Sequence, residues 1–398
     1  MRSVRQGLFH LCIALSLACG VADAFESPDS FLLRAWPELK GAQAPFWLKE
    51  GVRLTYETVS IPVQDADAAW EDAGETPISR DAGDTDTGAR TFTEVSVVAV
   101  DRTGVAASVR RLDSAKLAGP VRPSAFTAAV GAPGIVGEWW IAPEALASIP
   151  DGAANGIVVQ RTPCTTRGIT YNAIRFLFET PEAKHALLYD LKSGILVYRG
   201  TVSETARQTP RSPDLPPLPS HTLARTILVE YREISLPWTY DLPPQWIADF
   251  HSTAFEGSFT TILPGAQALP SPIKSTMTVT DRGRRWFRYR LDDATAALQE
   301  FPAGFHEGSR VSGIAQVGGL WIPPAGLSRL RKGQIIDTAP LTGARVAVAT
   351  AEEESVTLRE QATGYEIDFV YDCSTGALTR MRFVDRTLNQ VVEQRRVR

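Results

Sequence analysis

Trp140-Ile141-Ala142-Pro143-Glu144-Ala145-Leu146 aligns without a gap on Trp321-Ile322-Pro323-Pro324-Ala325-Gly326-Leu327, and the register runs on to Gly152 and Gly333. Trp, Ile, Pro, Leu and Gly coincide where average residue usage would give roughly one identity. Such self-similarity marks a duplicated unit, and it governs how the rest of the chain is read. Three further blocks recur in the same order. Pro45-Phe46-Trp47 with Tyr56-Glu57 matches Pro244-Gln245-Trp246 with Phe255-Glu256 at identical spacing. Asp101-Arg102 through Arg111-Leu112-Asp113 matches Asp281-Arg282 through Arg290-Leu291-Asp292 with one residue of slippage. Tyr189-Asp190 with Gly194 matches Tyr371-Asp372 with Gly376. Four collinear blocks make this a chain of two diverged copies of one unit.

Within each copy, β-branched and aromatic residues come in runs punctuated by Gly, Pro, Asp and Asn, the pattern of strand after strand. Copy one predicts strands over 52–63, 91–100, 105–112, 135–141, 156–161, 169–178, 183–189, 195–202 and 226–236. One helix per copy is expected, over 143–149 and 324–330, because a proline suits the first helical turn and Leu146 and Ile149 share a face. Many strands with short links predict a mainly β fold of two tandem antiparallel units, each a curved sheet, half-barrel, barrel or sandwich with one short helix. Two stretches interrupt the pattern. Residues 64–90 are acidic and rich in Ala, Gly and Thr, a loop between strands, and residues 203–220 form a Pro-rich excursion that no central strand accommodates. The first unit is thus expected over 25–238 and the second over 239–398.

The first 24 residues have the layout of a secretory signal: Arg2 and Arg5, an apolar core from Leu8 to Ala18, and Ala22-Asp23-Ala24 as a cleavage site. Cleavage after Ala24 is expected, with lipid attachment at Cys19 as the alternative. The apolar core is shorter than the roughly 20 residues of a membrane-spanning helix, and no later stretch reaches that length without charges, so no transmembrane segment is expected in the mature chain. Export leaves Cys164 and Cys373, for which a disulfide and two free thiols are the alternatives in an oxidising compartment. Lys plus Arg number 41 and Asp plus Glu 45, and removing Arg2, Arg5 and Asp23 takes the net charge from −4 to −5. Nucleic acid is therefore not an expected partner.

Chemistry-bearing patterns are few. Asp81, Asp84 and Asp86 before Gly88 lack the spacing and the distal Glu of a calcium loop, so no metal is expected there. His185, His221, His251 and His306 have no ligand at short spacing, and no nucleophile or zinc motif is present, so neither a catalytic residue nor a cofactor is assigned. Asp190 and Asp372 each open an Asp-x-x-x-Gly turn, the composition a hairpin needs, and the Trp-Ile-x-Pro blocks read as core packing. The least ordinary stretch is Arg284-Arg285-Trp286-Phe287-Arg288-Tyr289-Arg290. At strand period two, Arg284, Trp286, Arg288 and Arg290 share one face, which makes them the candidate grip for an anionic group. Together these patterns predict a secreted or periplasmic, non-catalytic binding protein for a lipid or other apolar ligand. An envelope structural or protein-interaction module is the alternative, and an envelope hydrolase the third.

Overall fold

The structure, a computed structural model, describes residues 28–64, 89–102, 104–114, 119–204, 220–262, 270–293 and 308–397. The signal stretch, almost all of the acidic loop and the Pro-rich excursion lie outside the described residues. The first half contains β1 (Val52–Val63), β2 (Ala89–Val100), β3 (Val105–Ser114), β4 (Arg122–Gly131), β5 (Ile135–Val136), β6 (Trp140–Ile141), β7 (Gly152–Ala154), β8 (Ile157–Thr166), β9 (Ile169–Glu179), β10 (Ala183–Asp190), β11 (Leu196–Glu204) and β12 (His221–Glu233). The second contains β13 (Ser252–Thr261), β14 (Ser271–Arg282), β15 (Trp286–Asp293), β16 (Gly308–Gly313), β17 (Ile335–Ala339), β18 (Ala344–Ala351), β19 (Ser355–Gln361), β20 (Tyr365–Asp372), β21 (Leu378–Asp385) and β22 (Gln390–Arg396).

These strands build two ten-stranded antiparallel sheets of the same connectivity. The first runs β4-β3-β2-β1-β12-β11-β10-β9-β8-β7, and the second runs β16-β15-β14-β13-β22-β21-β20-β19-β18-β17. In each, the opening strand pairs with the closing strand at the middle of the sheet, β1 with β12 and β13 with β22. Neither sheet closes on itself, so each is an open curved sheet. The short helices are α1 (Pro28–Ala35), α2 (Pro143–Ser148) and α3 (Pro324–Leu327). The last two are the expected pair, each started by its proline. Helix α1 was not expected.

Two strands also went unexpected, for readable reasons. Strand β4 carries Pro123, three alanines and a terminal glycine, a poor strand composition, and it occupies the edge of the first sheet, where a proline removes no ladder bond. Strand β7 is three small exposed residues. The single strand expected over 135–141 is instead the hairpin β5–β6, because Gly137 turns the chain at φ +53°.

The recurring blocks meet in space at one joint in each half. Trp140 bridges to Ile195 and Trp321 to Ala377. Ile141 N donates to Gly194 O and Ile322 N to Gly376 O, both at 2.9 Å. The Tyr189 hydroxyl donates to Glu138 O at 2.9 Å, and that of Tyr371 to Gly319 O at 3.0 Å. Asp190 and Asp372 accept from the backbone N–H of Ser193 and Thr375 inside their turns, at 2.9 and 2.7 Å. Trp47 and Trp246 then cap those turns by donating to Ser193 O and Thr375 O. The Trp, Tyr, Asp and Gly residues of the repeat are thus the parts of a joint that pins helix entry to sheet, made twice.

The cores differ in what fills them. Inside the first sheet, Leu54, Tyr56, Phe176 and Tyr189 pack with Leu32, Trp36 and Leu39 from α1 and the 3-10 turn Pro37–Gly41 that follows it. Inside the second sheet, Phe287, Leu358, Tyr365 and Phe383 pack with Phe92, Leu112, Val121 and Leu236 of the first half. The first sheet's own strands therefore cover the second sheet, as the N-terminal segment covers the first. In β2, Val95 and Val97 face the first core while Phe92, Glu94 and Ser96 face the second sheet. Both faces of this strand are buried, and the alternation of period two distributes them.

Candidate functional site

Between the outward face of β1 to β4 and the inner face of the second sheet lies a cavity of about 110 Å³. Its apolar wall includes Phe126, Leu236, Val317, Ile367, Phe369 and Met381. Its polar wall includes Arg53, Glu94, Ser96, Ser108 and Arg110 from the first sheet and Tyr289, Arg310, Asp337 and Glu360 from the second half. Placing charges here is costly unless each is paired, and the structure pairs them across the boundary between the two halves.

Arg110 is the centre of that pairing. Its guanidinium bonds Glu94 within its own sheet at 2.7 Å and Glu360 of the second sheet at 2.5 Å. The two carboxylates are only 3% and 6% exposed. Glu360 also accepts from the Tyr365 hydroxyl at 2.6 Å. Burial alone would raise the Glu94 carboxyl, but the guanidiniums of Arg110 and Arg53 outweigh it and hold that carboxyl below its ordinary range. Arg110 responds in kind: burial opposes its charge, and Glu360 and Glu94 push its pKa well up. A second cluster sits beside it. Asp337 takes Arg53 at 3.0 Å and Arg232 at 2.9 Å, both from the first sheet, and Arg53 Nε donates to Ser96 Oγ at 3.0 Å. Arg310 lies over the Phe126 ring at 5.4 Å and hydrogen-bonds Tyr289, and burial lowers its pKa.

Sequence patterns passed over these residues. Glu94 and Arg110 sit within strands that read as ordinary apolar runs, and the second-half carboxylates of the cluster, Glu360 on Arg110 and Asp337 on Arg53, lie more than 200 residues from those arginines. The available signal was a charge on both β2 and β3 in the alternation phase opposite to Val95, Val97, Val105 and Ala107.

The arginine stretch is placed elsewhere. Arg284 precedes β15 and is exposed. Arg288 approaches Asp281 at 3.9 Å, and Arg290 pairs with Asp292 at 2.9 Å on the solvent side. Trp286 is buried against Val98, Ala99, Ala106 and Val311, and its indole N–H donates to Asp101 at 3.2 Å. The structure thus does not bring the four side chains to one pocket: Trp286 joins the halves while Arg288 and Arg290 meet acidic neighbours. Arg285, on the other phase, bridges the halves by pairing with Glu50 at 2.6 Å and donating to Thr239 O.

Cys164 and Cys373 are free thiols, not a disulfide. Cys164 is part of the first core, where burial raises its pKa to about 11, and Cys373 lies in the turn after β20 of the other sheet. His185 stacks on Phe178 at 5.0 Å, and Phe178 in turn stacks on Phe31 of α1 at 4.7 Å. Burial, helped by the charge of Arg199, lowers the His185 pKa to about 4. The folded state therefore favours neutral imidazole. Its contribution is full above the unfolded pKa of about 6.5, is lost progressively as pH falls toward 4, and amounts to about 3 kcal/mol. Urea unfolding from pH 7.5 downward is expected to show this loss, and His185→Gln should flatten it. An unchanged slope in the variant would place the titration elsewhere.

Among the described residues no group of three or more His, Cys, Asp or Glu side chains is arranged to hold a metal ion. No helix among them is long and apolar enough to cross a membrane.

No protein-family model and no curated protein sequence matches this chain. Among solved structures, wild-type fluorescent protein UnaG is similar over 31% of this chain and 74% of its own, at 12% identity and TM-score 0.15. A protein of unknown function of the DUF3598 family from Nostoc punctiforme is similar over 87% of this chain and 96% of its own, at 11% identity and TM-score 0.13. A putative AttH from Nitrosomonas europaea is similar over 89% and 97%, at 11% identity and TM-score 0.15. Likenesses at these TM-scores carry no argument about ligand or activity.

Proposed function

We propose that this chain is an exported, non-catalytic binding protein whose ligand, at least partly apolar, lies in the cavity between the two sheets. The observation that carries this is the cavity itself, where Phe126 and Phe369 approach from different sheets over a floor of paired charges. Clefts of mixed apolar and sparse polar lining at the boundary between structural units are where small ligands bind. The carboxylates that line it are held by guanidiniums, which suits a rigid wall better than an acid or base that must exchange protons. Export is supported by the charged, apolar and small-residue segments of the first 24 residues.

Native mass spectrometry of the mature protein from an exporting host is expected to show a bound small molecule, or displacement of a fluorescent apolar probe by added ligand. Ligand at about 100 times its Kd should stabilise the fold by about 2.7 kcal/mol. Val317→Phe and Ser108→Phe fill the cavity from opposite walls and should abolish that gain while the apo protein still unfolds cooperatively. A protein that carries no mass, takes up no probe and gains no stability from any apolar compound would overturn the proposal.

A further inference from the structure

We infer that the cavity selects an uncharged molecule of about one ring that carries a hydroxyl, such as a phenol or a cyclic alcohol, and rejects carboxylates, amines and long-chain lipids. This rests on the binding role proposed above and names its ligand class.

Size comes first. The cavity holds about 110 Å³. A dry core cavity of roughly 150 Å³ takes benzene, whereas pockets for larger ligands begin near 300 Å³. At about 110 Å³ the cavity is smaller than the one that takes benzene, so a single small ring is its upper limit and an acyl chain of lipid length does not fit.

Charge comes second. The lining carries three guanidiniums, on Arg53, Arg110 and Arg310, and three carboxylates, on Glu94, Asp337 and Glu360. Formal charges cancel, and Arg110 and Arg53 already hold the carboxylates at 2.5 to 3.0 Å. An ionic ligand would lose its hydration here without gaining a net counter-charge. A neutral ligand escapes that penalty.

The hydroxyl comes third. Ser108 lines the cavity with a side chain that both donates and accepts. Gln316 lines it too, and because its Oε1 accepts from Gly313 N at 3.2 Å, its amide N–H2 is the end left to donate to a ligand oxygen. Phe126 and Phe369 line the cavity from the two sheets, so the apolar body of a ligand meets aromatic side chains while its oxygen reaches the polar side.

Calorimetry on the mature full chain at neutral pH, with p-cresol, cyclohexanol, toluene, benzoate, benzylamine, palmitate and monoolein, separates the outcomes. The expected result is that p-cresol or cyclohexanol binds at least about tenfold more tightly than benzoate, benzylamine or either lipid, and several-fold more tightly than toluene. Gln316→Leu and Ser108→Ala, each confirmed to unfold as the parent does, should bring p-cresol and toluene to the same affinity. Val317→Phe should remove binding of both. If benzoate, palmitate or monoolein binds as tightly as p-cresol, or a co-purified mass is charged or long-chained, the ligand class is wrong while the binding role stands. Equal affinity for toluene in the parent would overturn the hydroxyl assignment. Silence across the whole panel, with no co-purified mass, would overturn both the class and the binding role.

Discussion

Alanine at Gly194 or at Gly376 is expected to destabilise the protein by more than about 3 kcal/mol, a large part of the total stability of an ordinary domain. Two costs coincide at each position. The backbone is left-handed, φ +75° at Gly194 and +73° at Gly376, where a Cβ costs about 1–2 kcal/mol. In addition, a Cβ on Gly194 would lie 1.9 Å from Ile141 O, and one on Gly376 would lie 2.1 Å from Ile322 O. Those oxygens belong to the backbone that the glycines themselves hold by hydrogen bonds, so neither side can withdraw without opening the joint between helix entry and sheet. Gly333 provides the control. Its φ is +82°, yet nothing lies within 4 Å of an added Cβ, so Gly333→Ala should show the backbone cost alone. Urea midpoints of the three variants check this. Equal losses at all three positions would mean that the close approach contributes nothing.

Arg110→Met is expected to lose about 3–5 kcal/mol at neutral pH, because it strips the shared cation from two carboxylates that stay buried. The loss should depend on pH in a specific direction. In the parent, Glu94 is held below its ordinary pKa, so its pairing stabilises the fold above about pH 4.5 and is lost as pH falls through the lowered value. In the variant, burial dominates at Glu94, its folded pKa rises above the unfolded one, and protonation on acidification relieves the penalty. The stability curves of parent and variant should therefore converge between pH 7 and 4. Arg110→Met combined with Glu94→Gln and Glu360→Gln should recover much of the loss, since no buried charge is then left without a counter-charge. A loss that is independent of pH, and additive over the three substitutions, would show that Arg110 acts through packing alone.

Both positions bear on how the chain encodes its structure. Gly194 and Gly376 were visible in the sequence because duplication printed the same requirement twice. Trp140 and Trp321, Tyr189 and Tyr371, and Asp190 and Asp372 stood out for the same reason, and they meet in matching geometry because a local joint of short-range turns and one sheet crossing needs the same residues wherever it is built. One of the three substitutions inside the best block is informative as well. Copy two has Gly326 where copy one has Ala145, and a Cβ at 326 would lie 2.4 Å from the Cβ of Trp238, which comes from the end of the first half. That difference belongs to the way the halves meet.

The cavity was not legible in this way. Glu94, Arg110, Asp337 and Glu360 have no counterpart pattern between the copies, because the copies are used asymmetrically: the outward face of the first sheet lies over the inner face of the second, while α1 and the turn after it serve the first. A charge within a strand announces only that one face departs from apolar. Whether that face meets solvent or an opposing carboxylate depends on what a segment some hundreds of residues away places against it. The same holds in reverse for Arg288 and Arg290, which resemble a binding face in one dimension and pair with Asp281 and Asp292 in three.

The sequence by itself determined the duplication, the strand-rich antiparallel class, the two proline-led helices and the joint that ties each helix to its sheet, since all of these follow from local periodicity, turn chemistry and repetition. Tertiary structure alone decided that Trp286 and Arg285 bind the halves together, that Cys164 and Cys373 stay apart, and that a charge-balanced cavity opens between the sheets. Those outcomes depend on which faces of two similar sheets are stacked, and residue alternation says that a strand has two faces without saying what each will meet.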